Sequence, residues 1–223
     1  MTPTQPSPHF RSESGNILIY ILLGIVLIGL LTVALRQGGD PGKDLDGERM
    51  TITASQVQDY ASLLQGGVNS LIERGVSEAD LRFAHPKNIS GYGTITTTPT
   101  NQVFHPDGAN VAFKLPPANV NDGSRWEVIG NLAIPHVGSD RPELVAILPN
   151  VTQQFCTTIN RQLGVTIENP IACTFLPATQ FMGTYPTSPV TYADTVFSKS
   201  PVLQGCAECG DGSRYYFYVL LSR

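Results

Sequence analysis

Residues Ile17 to Leu35 read ILIYILLGIVLIGLLTVAL, nineteen consecutive positions without a charge, with only Gly24, Gly29 and Thr32 outside the apolar set. As a helix rising ~1.5 Å per residue, this run spans about 28 Å, close to the hydrocarbon thickness of a bilayer. A single segment satisfies its own backbone there only as a helix. The run therefore predicts a transmembrane helix over 17–35, with residues 1–16 as a polar leader. The two glycines are five apart and do not form the GxxxG dimer seam. The rival reading is a cleaved secretory signal, with Thr32 and Ala34 offering a small-residue cleavage site. The leader is barely positive, Arg11 standing against Glu13, and the run exceeds the ~7–15 residues of a signal core.

Arg11 lies before the span and Arg36, Lys43 and Arg49 after it, which weakly favours the C-terminal part inside. Cysteine usage points the other way. All four cysteines, Cys156, Cys173, Cys206 and Cys209, fall in the C-terminal part, and an even set fits a disulfide framework in an oxidising compartment. Four cysteines allow three pairings. One joins Cys206 to Cys209 across a short loop framed by Gly205 and Gly210, leaving Cys156 with Cys173. A redox Cys-x-x-Cys belongs at a helix N-terminus in a βαβ unit, whereas this one sits in a Gly-rich loop before a strand. Zinc ribbons use two such pairs, and this chain has one.

Beyond the span, Gly38-Gly39-Asp40-Pro41-Gly42 breaks the helix, and 36–52 reads as a solvated linker. Residues Ala54 to Arg74 place Val57, Tyr60, Leu64, Val68, Leu71 and Ile72 at i, i+3, i+4 spacing, an amphipathic helix started by Thr53 or Ser55 and stopped at Gly75. Ser77-Glu78-Ala79-Asp80 resembles a capping box before a short turn. Thereafter 21 glycines and 17 prolines in the whole chain accompany short β-prone runs. Gly91–Thr98 is one, and Gln102–Phe104 faces Val111–Phe113 across a Pro-Asp-Gly tip as a hairpin. Arg125–Ile129, Leu132–Ile134 and Glu143–Leu148 are further strands. Thr152–Leu163 is a second helix ending at Gly164, and Arg214–Leu221 a closing strand. The predicted class is α+β: a transmembrane helix, an amphipathic helix, and an antiparallel β-rich head with an inserted helix, the extracytoplasmic domain covering 53–223.

A net charge of −4 excludes the basic face of a nucleic-acid binder. His9, His85, His105 and His136 are scattered in loops, with no HExxH, GxSxG or P-loop spacing. Asp40, Asp44, Asp46 and Glu48 alternate like part of a calcium loop but lack its ligand order and glycine, so they read as solvated charge. Asn88-Ile89-Ser90 and Asn150-Val151-Thr152 match the glycosylation pattern. No nucleophile, base and oxyanion donor assemble, so the sequence predicts neither catalysis, cofactor nor metal.

Ser14-Gly15-Asn16 running into an apolar span, followed by an amphipathic helix and a β-rich cysteine-bearing domain, resembles the type IV pilin-like family, including type II secretion pseudopilins. Gly15–Leu23, Val103–Pro106 and Tyr215–Tyr218 are also similar to a set of bacterial proteins of this architecture. The resemblance implies peptidase cleavage between Gly15 and Asn16 and assembly with other pilin-like subunits or secretion proteins through Ile17–Leu35 and the head. It also implies an inner-membrane, single-pass location with the head periplasmic or extracellular. Where most pilins carry glutamate, at the fifth residue after the glycine, this chain has Tyr20; some tip-located minor pseudopilins also lack that glutamate. The alternative is a membrane-tethered binding module.

Overall fold

The structure, a computed structural model, describes residues 15–37, 41–85, 91–139, 141–173 and 180–223, with side chains of 15–17, 34–37 and 41–44 left out. It divides into two compact units, Met1–Gly47 and Glu48–Arg223. In the first lies helix α1 (Gly15–Gln37). Helix α2 (Pro41–Glu73) begins there and runs into the second. The linker expected over 36–52 is thus a correction: apart from 38–40, which lie outside the described residues, it is helical. Proline is tolerated at a helix start, where its missing N–H is no loss, and the exposed Asp46 and Glu48 are tolerated on a helix surface.

The second unit is α+β, as the periodicities predict. Five strands, β1 (Glu127–Ala133), β2 (Glu143–Leu148), β3 (Val190–Thr191), β4 (Gln204–Glu208) and β5 (Arg214–Leu221), form one sheet in the order β3-β1-β2-β5-β4. The pairs β1·β2, β2·β5 and β4·β5 are antiparallel, but β3 runs parallel to β1, so the sheet is mixed rather than antiparallel throughout.

Strand alternation sorts the core into two layers. Leu144, Ala146 and Leu148 of β2 join Tyr216 and Leu220 of β5 on one face; Val145 and Ile147 join Tyr215, Phe217 and Val219 on the other. The first face is covered by α2, through Ala54, Val57, Ala61, Leu64, Val68 and Leu71, and by helix α3 (Gln153–Leu163), through Phe155 and Ile159. The second is covered by irregular chain bearing Val165, Tyr192, Val196, Phe197 and Val202. With both faces buried, β2 is apolar along nearly its whole length rather than alternating.

Helix ends follow the expected chemistry. Thr152 Oγ1 accepts from Phe155 N at 3.3 Å, and Gly164 closes α3 at φ 64°. Val76 N donates to Leu71 O and Gly75 N to Ile72 O, ending α2. The Ser77 hydroxyl does not cap the backbone; it donates to Asp80 Oδ2 at 2.7 Å beside a 3-10 turn, Glu78–Asp80.

Two β-prone runs fold otherwise. Residues 91–98 form turns, and the 102–113 hairpin stops after two bonds, Ala109 N to Gln102 O and Val111 N to Val103 O. The reason is Gln102, almost completely buried, whose amide donates to Thr97 O and Thr94 O while its Oε1 accepts from Ala84 N. Its backbone is meanwhile bridged to Arg82.

Candidate functional site

Two surfaces carry the functional argument, one in each unit. Along α1 every large apolar side chain from Leu18 to Val33 is exposed, between 49% at Val26 and 68% at Leu18. They occur on all sides, and a helix apolar all round requires burial in protein or lipid. The one hydroxyl in its C-terminal half, Thr32 Oγ1, is satisfied within the helix by Ile28 O and Gly29 O. Among the described residues, no helix is long and apolar enough to cross a membrane; side chains of α1 are described only over 18–33. Gly15 and Asn16, the expected processing junction, are the first two residues of α1, and the leader before them lies outside the described residues.

In the head, both disulfides form, with different partners from the pairing that joins Cys206 to Cys209. Cys156 joins Cys206 (Cα–Cα 5.2 Å) and Cys173 joins Cys209 (5.4 Å). Strand parity explains which of the three pairings forms: Cys206 and Cys209 are an odd number of residues apart, so the pleat sends them to opposite faces of the sheet. Cys206 meets α3 in the helix-covered core, while Cys209 lies in the core of the other face. The Cys-x-x-Cys therefore forms no bond of its own.

The outer edge of β4 is closed as well. Asn160, on α3 and 6% exposed, accepts from Cys206 N at 2.9 Å and donates to Cys206 O at 3.0 Å, taking the place of a neighbouring strand. Ile171 N donates to Glu208 O, and Gly210 N to Ile171 O, continuing the cover. Over this edge opens a cleft of about 430 Å³ lined by α3, residues 164–167 and the Glu208–Arg214 pair, 2.8 Å apart.

A polar cluster lies at the opposite end of the fold. Glu143 at the start of β2 is fully buried and accepts from Arg223 N at 2.8 Å. The Arg223 guanidinium is bonded to Glu78 at 2.7 Å and sits 3.7 Å from the centre of the Tyr185 ring. Burial pushes the Glu143 carboxyl up to about 7, against the lowering pull of the Arg223 N–H and its charge. Neither Glu78, Glu143, Tyr185 nor Arg223 stood out in the sequence, because nothing in their spacing signals that four distant segments meet.

The histidines remain apart. His85 is buried and stacked on Phe113 at 3.9 Å, its pKa lowered by burial and then by Arg125. His105 faces Asp107 at 3.7 Å, and His136 faces Asp194 at 3.3 Å. His9 lies outside the described residues. Among those described, no three or more His, Cys, Asp or Glu side chains are grouped to hold a metal ion. Comparison with protein-family models, with curated proteins and with solved structures yields no match for this chain.

Proposed function

We propose that this chain is a membrane-anchored structural subunit resembling a type IV pilin or pseudopilin. It acts by protein–protein assembly in a pilus or type II-like secretion apparatus and performs no catalysis. The observation that carries this reading is the unbroken exposure of apolar side chains around α1. In the sequence the apolar run extends beyond the described side chains, from Ile17 to Leu35, reaching the length of a tilted or straight span. Tyr20 near its start suits the membrane interface, where amphipathic rings concentrate. Two disulfides in the head support an oxidising location, hence a single-pass inner-membrane protein with its head periplasmic or extracellular. Tyr20, in the glutamate position of most pilins, favours a tip or accessory place over the filament body.

The test is photo-cross-linking from Leu27 in native membranes, together with the mass of the native N-terminus. Assembly predicts cross-linked oligomers and a chain starting at Asn16. A chain found in the soluble fraction refutes the anchor. A second reading, a tethered binding module, is favoured by the cleft over β4; a membrane-bound chain that yields no oligomers selects it.

A further inference from the structure

Among side chains, the cluster around Glu143 contains one cation, Arg223, and two carboxyl groups, Glu143 and Glu78; the main-chain carbonyl end of Arg223 is held apart by Ser139. Glu143 Oε2 accepts from the Arg223 backbone, and Oε1 has no hydrogen-bond partner. Arg223 Nε donates to Glu78 Oε2 and Nη1 to Pro142 O at 3.3 Å. The groups facing Glu143 are thus Arg223, just after β5, Glu78 from the turn that follows α2, and Tyr185, whose buried hydroxyl also has no partner. Its cross-strand neighbour on β1 is the apolar Leu132. Arg82, the other cation near the turn, is committed to Ala79 O and Leu81 O.

One guanidinium cannot neutralise two carboxylates. The exposed member, Glu78, keeps its charge by hydration, whereas an ionised and half-partnered Glu143 would be a buried, uncompensated charge. We propose that Arg223 is a proton-operated clasp on the Ser77–Asp80 turn. With Glu143 neutral, the guanidinium belongs to Glu78 and holds the turn against the sheet. When Glu143 releases its proton to solvent, the guanidinium transfers to it, Glu78 is freed and the turn opens.

The geometry permits this exchange with little else moving. The Arg223 backbone is fixed by Glu143, by Ser139 N and by Ser139 Oγ at 2.8 Å to its carbonyl, so only the side chain must swing. A cleft of about 450 Å³ bordered by Ile72, Val76, Glu78, Tyr185 and Arg223 lies on the Glu78 side of the guanidinium, so the turn has open space beside it once Glu78 is released. Burial of Glu143 sets the transition near neutral pH.

Hydrogen exchange of the full chain in detergent micelles, read by mass spectrometry on the segment 77–82, tests the clasp against Glu143→Gln at matched pH. At about pH 5.5 the two proteins should exchange alike. At about pH 8.5 the wild type should exchange at least tenfold faster in this segment, since each pH unit above the transition is worth about tenfold in equilibrium. The strand 144–148 should stay protected in both. Glu78→Gln should leave the turn fast at both pH values. A wild-type to Glu143→Gln ratio that does not change with pH overturns the proposal, as does a rise spread evenly over the head. If Glu143→Gln fails to fold, Glu78→Gln decides: a pH-dependent rise equal to that of the wild type overturns the clasp.

Discussion

Removing each disulfide separately has a calculable consequence. Cys156–Cys206 joins positions 50 residues apart and Cys173–Cys209 positions 36 apart. Loop-closure entropy in the unfolded chain assigns each about 4 kcal/mol. The two spans interlock in sequence, so the second closes a loop already shortened by the first, and their sum is less than additive. Cys156 and Cys206 are also fully packed, and replacing their sulfurs by alanine leaves a small void costing about 1 kcal/mol more. The double variant Cys156→Ala/Cys206→Ala should therefore lose about 5 kcal/mol and Cys173→Ala/Cys209→Ala about 4 kcal/mol. Urea unfolding of the full chain in detergent reads this through its single tryptophan. Trp126 is buried 5.6 Å from Tyr60 and 6.0 Å from Tyr216, so its emission reports the helix-covered core. With a slope of about 2 kcal/mol per molar urea, each midpoint should fall by about 2 M. Recovery of a Cys206–Cys209 peptide from a non-reducing digest would refute the parity argument. Either double variant unfolding at the wild-type midpoint would refute the loop-entropy argument.

Three other outcomes follow from the geometry. Asn160→Leu strips both partners from the buried Cys206 backbone and should cost about 2–4 kcal/mol in chemical denaturation, more than Asn160→Asp, which keeps an acceptor for the N–H. Leu27→Lys puts a charge in the middle of α1 at about 3 kcal/mol against lipid insertion, so fractionation should show the chain shifting out of the membrane. Glu143 ties stability to pH: its folded pKa of about 7 lies above the ordinary 4.5, so the native state holds the proton more tightly. That contribution is complete below about pH 4.5 and lost as pH rises through 7, so the stability difference between wild type and Glu143→Gln should fall by up to about 3 kcal/mol across this window.

The elements legible in the sequence were those whose local and tertiary preferences agree. Thr152 and Gly164 bracket α3 because a hydroxyl cap and a left-handed glycine act within a few residues. Tyr215 to Leu220 and Glu143 to Leu148 have β-prone side chains and lie in the middle of the sheet. Strand β4, Gln-Gly-Cys-Ala-Glu, contains no β-branched or aromatic residue, and it is extended because β5, Asn160 and a disulfide hold it there. Without β4 the parity of Cys206 and Cys209 has no meaning, which is why the pairing stayed open. Residues 102–113 show the reverse failure: β propensity was present, but the buried Gln102 is tied outside the hairpin, its side-chain amide to Ala84 N, Thr94 O and Thr97 O and its backbone to Arg82. The polar cluster was invisible for a simpler reason, since Glu78, Glu143, Tyr185 and Arg223 meet only through the packing of the whole sheet.

The side-chain amide that occupies the β4 margin limits how copies of this protein can associate. A bare margin would recruit the next chain by adding strand to strand, a process with no natural end. With the Cys206 N–H and carbonyl taken by Asn160 and the Glu208 carbonyl by Ile171, the middle of that margin is closed to a neighbouring strand. Strand-by-strand addition of copies is thereby blocked on this side of the sheet, and self-association of the head through it would have to use side-chain surfaces instead.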